Sequence, residues 1–250
     1  MDNFFNTNKN SNTNENIFTL ESQHDSLKDN YKDIFIMAAN SIKKEVEKFK
    51  PENPCINCTI KDCKVTVKDV FTDYPVGCEY NKWQKQILSY LNGEFLKKLD
   101  ATYDLIVESK SKYNCISCGN CCRLAVSEYS YDQLKQRASR GDNVSKDFIS
   151  VFVPYESEDA AKAINPEYFE LLNERMSDQR IYYYYCPKLK DNLCSDYENR
   201  PAVCKNFPTN PLKLLPSTCS YNKWKEEVAV QAMLLRAKSD IIEFYKAKLS

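Results

Sequence analysis

Cys115-Ile-Ser-Cys118-Gly-Asn-Cys121-Cys122, followed at wider intervals by Cys186-Pro187, Cys194, Cys204 and Cys219, is the stretch on which the reading of this chain turns. Thiols separated by two residues can bring both sulfurs onto one cation, because metal–sulfur bonds of about 2.3 Å set the sulfurs just under ~4 Å apart. Cys115/Cys118 and Cys118/Cys121 have this spacing, as do Cys55 and Cys58 upstream. Adjacent side chains behave differently. They point to opposite faces of a strand and diverge by about a hundred degrees on a helix. Cys121 and Cys122 are therefore expected to serve two neighbouring sites.

Twelve cysteines share the 250 residues with one histidine, His24, so any metal is held by sulfur. Such ligation points to zinc or to iron and iron–sulfur clusters, and away from hard cations. Six disulfides are the rival reading. A chain this long builds a core without them. The polar, Asn-rich first thirty residues carry no secretory signal, and the apolar run Ile34–Ala39 is too short for a signal core or a membrane span. Reduced thiols and a cytoplasmic location are the expectation. The 35 basic and 35 acidic residues balance and form no stripe, so neither nucleic acid nor a membrane surface is an expected partner, whereas a protein partner is. Four glycines leave no Gly-rich phosphate loop, a single histidine rules out a Ser-His-Asp set, and no other catalytic motif is visible.

Three regions are expected. Residues 1–28 are a polar tail too poor in apolar side chains to order itself. Residues 29–112 form a helical module that holds Cys55, Cys58, Cys63 and Cys78, with Ile34, Ala38, Ile42, Val46 and Phe49 on one helix face. Residues 113–250 form a cysteine-cluster domain that ends in a long helix. In that last region Tyr131–Arg140 and Pro166–Met176 read as helices. The run Ile181–Tyr185 reads as a strand whose tyrosines pack a core, and Asp191-Asn192 offers the turn of a short hairpin with Cys186 and Cys194 at its base. Arg200-Pro201 opens a short helix that places Cys204 in its first turn, where the dipole favours a thiolate. The fold class is mainly α, with irregular cysteine-rich loops and a short β-hairpin.

Two segments repeat. Pro75-Val-Gly-Cys78-Glu-Tyr80-Asn81-Lys82-Trp83 matches Pro216-Ser-Thr-Cys219-Ser-Tyr221-Asn222-Lys223-Trp224 at six positions, and each follows a Cys-Ile-x-Cys opening and precedes a helical pattern. This predicts an internal duplication. Superposition pairs Cys55 with Cys115, Cys58 with Cys118, Cys63 with Cys121 or Cys122, and Cys78 with Cys219. Cys186, Cys194, Cys204 and the other member of the adjacent pair remain. Three four-thiolate sites result, and proximity in register leans Cys122 toward the Cys219 group. Cys186-Pro187 is similar to the Cys-Pro that closes ferredoxin quartets, which would instead join Cys186 to the Cys115 group.

The order Cys115-x2-Cys118-Gly119-x-Cys121-Cys122, then Cys186-Pro187-x-Leu189, then Cys194-x2-Tyr197-x2-Arg200-Pro201-x2-Cys204-x2-Phe207-Pro208 resembles the CxxCxxCC family of zinc- or iron-chelating, YkgJ-like cysteine-cluster proteins. Lys205 stands where that family usually has arginine. The resemblance implies metal chelation. Some relatives resemble FliB-like flagellin lysine N-methylases, so the enzyme alternatives are a protein lysine N-methylase or an iron–sulfur redox protein. A metal-handling, scaffolding or partner-docking role is the preferred expectation.

Overall fold

The computed structural model describes residues 25–52, 60, 69–177 and 180–249. The Asn-rich segment up to residue 24, with His24, lies outside the described residues, as do Cys55, Cys58 and Cys63. The chain divides into two compact units, Met1–Ile106 with Val230–Ser250, and Val107–Ala229.

In the first unit, helix α1 (Asp25–Glu47) begins inside the segment read as tail and buries Tyr31, Ile34, Ala38, Ile42 and Val46, an amphipathic stripe. Helix α2 (Glu79–Tyr90), a π-helical turn over Leu91–Phe95 and helix α3 (Leu96–Ser109) follow. Their apolar residues Ile87, Leu91, Phe95 and Leu99 recur every four positions. A strict four-residue step drifts around a 3.6-residue helix. The wider π turn returns Leu91 and Phe95 to the buried side. Trp83 donates its indole N–H to the carbonyl of Val46 at 3.3 Å, and the Tyr90 hydroxyl donates to Glu45 at 2.7 Å. Phe71 packs its ring on Phe244 and Tyr245 of the C-terminal helix (Asn222–Leu249), at 5.4 and 4.9 Å.

The second unit runs α4 (Asn120–Arg123), β1 (Ala125–Ser127), α5 (Tyr131–Ser139), α6 (Asn143–Val151), β2 (Val153–Pro154), α7 (Glu158–Ile164), α8 (Pro166–Arg175), β3 (Tyr182–Tyr185), β4 (Leu189–Lys190), β5 (Leu193–Cys194) and α9 (Ala202–Lys205). The tyrosine run is the central strand of an antiparallel sheet in the order β1-β3-β2. Val126 stands opposite Tyr183, and Val153 opposite Tyr185. Strand alternation sends successive tyrosines to opposite faces, and each face has its own core. Tyr183 stacks on Phe169 at 4.6 Å and joins Leu124, Ala161, Tyr168, Leu172 and Ile181. Tyr184 meets Phe148 edge-on at 5.1 Å and joins Leu134, Val151, Phe152 and Cys186. The Tyr184 hydroxyl donates to the Tyr129 carbonyl at 2.7 Å, and that of Tyr183 donates to Asn173. Burial pushes both phenols up to about 12, so they remain protonated donors. Tyr183 and Tyr184 are core, as the sequence indicates, whereas Tyr182 is partly buried and Tyr185 exposed.

Local chemistry sets the helix starts. Ser130 and Gln133 form a capping box on α5, Asp142 caps α6, Ser157 caps α7, and Asn165 caps α8 with Pro166 at its first position. Both edges of the tyrosine strand are taken by β1 and β2, and the expected short hairpin follows it as a separate pair. The hairpin is β4 with β5, pairing Leu189 with Cys194 across Asp191 and Asn192, whose φ values of 47° and 66° are those of a tight primed turn.

Candidate metal centre

The Cys115–Cys122 segment is shaped by two left-handed residues, Ser117 (φ 57°) and Gly119 (φ 72°). The first turn directs the Ser117 amide at the Cys115 sulfur, 3.4 Å away. After the second, the amides of Cys122 and Arg123 both donate to the Gly119 carbonyl, at 3.0 and 2.9 Å. Cys121 and Cys122 therefore sit side by side on the single helical turn of α4, with a hydrogen bond between their thiols. Arg123 folds back and donates from Nη1 to the Cys118 carbonyl at 3.0 Å.

Ordinary hydrogen bonds then bring distant cysteines to this turn. Asn120 donates to the Thr218 hydroxyl at 2.6 Å and accepts from Asn165 at 3.1 Å, and the Ser220 hydroxyl donates to the Asn114 carbonyl at 2.7 Å. These ties flank Cys219 and set it beside the first loop: the Cys115 and Cys118 thiols act electrostatically on Cys219, as they do on Cys121. Tyr168 lies against the same group and feels both Cys121 and Cys219. On the other side, the Cys186 amide donates to the Cys122 carbonyl at 2.7 Å. Cys122 and Cys204 pack against the core that contains Cys186. Burial first, then Cys122, Cys186 and Cys194, push the Cys204 thiol up to about 11, which overrides the dipole effect expected of its four-residue helix.

Cys115 and Cys118 thus act on Cys121 as they do on Cys219, while Cys122, Cys186 and Cys194 act on Cys204. Cys186 stands next to Cys122 through its amide bond to the Cys122 carbonyl. Each group stands near one of the two cores that flank the tyrosine strand, Cys121 and Cys219 beside Tyr168, and Cys122, Cys186 and Cys204 beside Tyr184.

Three sulfurs accept an amide from two residues ahead: Cys115 from Ser117, Cys186 from Lys188 and Cys219 from Tyr221. Such donors favour the thiolate, while burial opposes it and on balance raises Cys186 and Cys219. Within the adjacent pair the hydrogen bond from Cys121 raises its own thiol and holds that of Cys122 down, helped by Arg200 and Arg123. Eight thiols, three of them with aimed amide donors, are the donor chemistry of a soft cation. Among the described residues, however, no three Cys, His, Asp or Glu side chains converge closely enough to hold an ion as they stand. In the first unit only Cys78 is described. It is buried, and its amide donates to the Pro75 carbonyl at 3.1 Å, as that of Cys219 does to Pro216 at 2.9 Å. Trp83 and Trp224, five residues on in each copy, are both buried.

Sequence reasoning missed Asn120, Asn165, Thr218 and Ser220, the residues that close the first group. The only signal was Asn120 itself, lying between Cys118 and Cys121. No helix among the described residues is long and apolar enough to cross a membrane.

Eight cysteines lie in one small helix-rich unit. Residues 114–227, a little under half of the chain, match the family model CxxCxxCC, described as a putative zinc- or iron-chelating domain. Neither the curated proteins nor the solved structures gave a match.

Proposed function

We propose that the second unit binds zinc or iron at two four-thiolate centres, Cys115/Cys118/Cys121/Cys219 and Cys122/Cys186/Cys194/Cys204, and that bound metal organises a cytoplasmic scaffold that docks a protein partner or handles metal. The family match supports zinc or iron chelation. The observation that supports the two-centre reading is that Cys115 and Cys118 act on Cys121 and Cys219, whereas Cys122, Cys186 and Cys194 act on Cys204. Loss of the thiol protons to a cation draws each set inward, because thiolate–metal bonds outweigh the cost of rotating half-buried side chains. The repeated Pro-x-x-Cys turn extends the reading to a third centre, Cys55/Cys58/Cys63/Cys78, in the first unit.

Anaerobic purification of the full chain, followed by metal analysis and a visible spectrum, tests this reading. Stoichiometric zinc in a colourless protein, or iron with thiolate-to-iron charge-transfer absorption, is the expected result. A folded protein with neither metal, which takes up neither on addition, would overturn it.

A further inference from the structure

The segment Cys-x-Tyr-Asn-Lys-Trp occurs twice, as Cys78–Trp83 in the first unit and Cys219–Trp224 in the second, and both copies make the same kind of contact. An indole has one N–H donor and no acceptor, and a buried one has to find a partner for it. Trp83 and Trp224 are 2% and 0% exposed. Each aims its N–H at the end of the helix that precedes its copy. Trp83 donates to the Val46 carbonyl in the last turn of α1 at 3.3 Å, and Trp224 to the Ser109 hydroxyl that ends α3 at 2.9 Å. A lysine just beyond each helix then covers a ring of the same segment, Lys50 over Trp83 at 6.0 Å and Lys110 over Tyr221 at 5.9 Å.

The cysteine turns are fastened to these tryptophans through the helix starts. The Asn222 amide donates to the Cys219 carbonyl at 3.0 Å, and its side-chain amide donates to the carbonyls of Pro216 and Ser217 at 2.8 and 3.2 Å. In the first unit the Lys82 amide donates to the Cys78 carbonyl at 3.1 Å, one residue before Trp83. Val46 stands nine residues before Cys55 in the sequence, and Ser109 six before Cys115. We propose that the repeated segment is a clasp, in which Trp83 and Trp224 are positioning residues that set the Cys78 and Cys219 turns against the helix leading into the first cysteines of the same copy. The clasp is made by hydrogen bonds and ring contacts alone, so it goes beyond the metal-binding reading and holds without a bound cation.

Iodoacetamide labelling of the reduced full chain tests the proposal, with chelator present so that no metal shields a sulfur, and with each cysteine followed by mass spectrometry. Trp224→Phe keeps the ring and loses the N–H. It should speed labelling of Cys219 by about three- to tenfold, the effect of one buried hydrogen bond, and leave Cys186 and Cys78 unchanged. Ser109→Ala should match it and add nothing in the double variant, whereas Ser109→Thr, which keeps the hydroxyl, should label as wild type. Trp83→Phe should speed Cys78 and spare Cys219. An equal rise at Cys186 and Cys219 in Trp224→Phe would overturn the proposal, because the tryptophan would then serve general stability. So would an unchanged Cys219 in Trp224→Phe, or a Ser109→Ala variant that labels as wild type. Wild-type Cys186 that labels in chelator as fast as in urea would overturn it too, since the clasp would then depend on metal.

Discussion

Gly119→Ala is the substitution whose cost follows most directly from the structure. At φ 72° an alanine pays a left-handed penalty of roughly 1–2 kcal/mol. The added Cβ would also stand 3.1 Å from Nη1 of Arg123, so the guanidinium must shift by a few tenths of an ångström and its bond to the Cys118 carbonyl is weakened. Weakening that partly buried charged hydrogen bond adds up to about 1 kcal/mol. Gly141, in the same unit, is the control: its φ is 92° and a Cβ there would meet nothing within 4 Å. Gly119→Ala should thus destabilise the second unit by up to about 3 kcal/mol, against about 1–2 kcal/mol for Gly141→Ala. Hydrogen exchange in the full chain, read by mass spectrometry on peptides covering Tyr182–Tyr185, reports the opening of that unit, and a difference of 1 kcal/mol appears as roughly a fivefold change in rate. In an Arg123→Ala background the excess should vanish. Equal costs at the two glycines, or an excess that survives removal of Arg123, would refute the steric argument.

Cys121→Ser should lower bound metal in the same way as Cys219→Ser, and Cys122→Ser in the same way as Cys204→Ser. Metal analysis of single and paired variants checks this, since a pair from one centre costs no more metal than either member. Asp142→Ala should cost about 1 kcal/mol through loss of the α6 cap, whose carboxylate accepts from the amides of Val144 and Ser145. Burial raises the Asp142 carboxyl, but the bonds from Ser145 and Arg137 outweigh it and hold the group below its ordinary value. The stabilisation is therefore complete above the unfolded value near ~4 and fades as pH falls through the folded one. Urea unfolding of wild type and variant should converge below about pH 4; a gap that persists at pH 2 would contradict this.

Elements with a long period or a strong cap were legible in the sequence. The stripe from Ile34 to Val46, the Pro166 helix and the core role of the tyrosines all follow from side-chain spacing. Strands of two or three residues have no period to read. Ala125–Ser127 and Val153–Pro154 become strands only because Tyr182–Tyr185, far along the chain, pairs with both. The Asn143–Val151 and Glu158–Ile164 helices are too short for their patterns to stand out and rest on Asp142 and Ser157 as caps. Among the site residues, the cysteines announced themselves by spacing, while Asn120 and Ser220 act through partners 98 and 106 residues distant. No local pattern encodes such pairs.

Those two bonds also set a timetable for synthesis. Cys115, Cys118 and Cys121 leave the ribosome first, yet the Thr218–Cys219–Ser220 turn that completes their group follows Asn120 by 98 residues. At translation rates of about 5–20 residues per second, the wait is roughly 5–20 s. Cys186, Cys194 and Cys204 emerge within that interval, so on the proposed two-centre reading the Cys122 set is complete in sequence while the Cys115 set still lacks Cys219. The first thiols of the segment wait longest for their last neighbour.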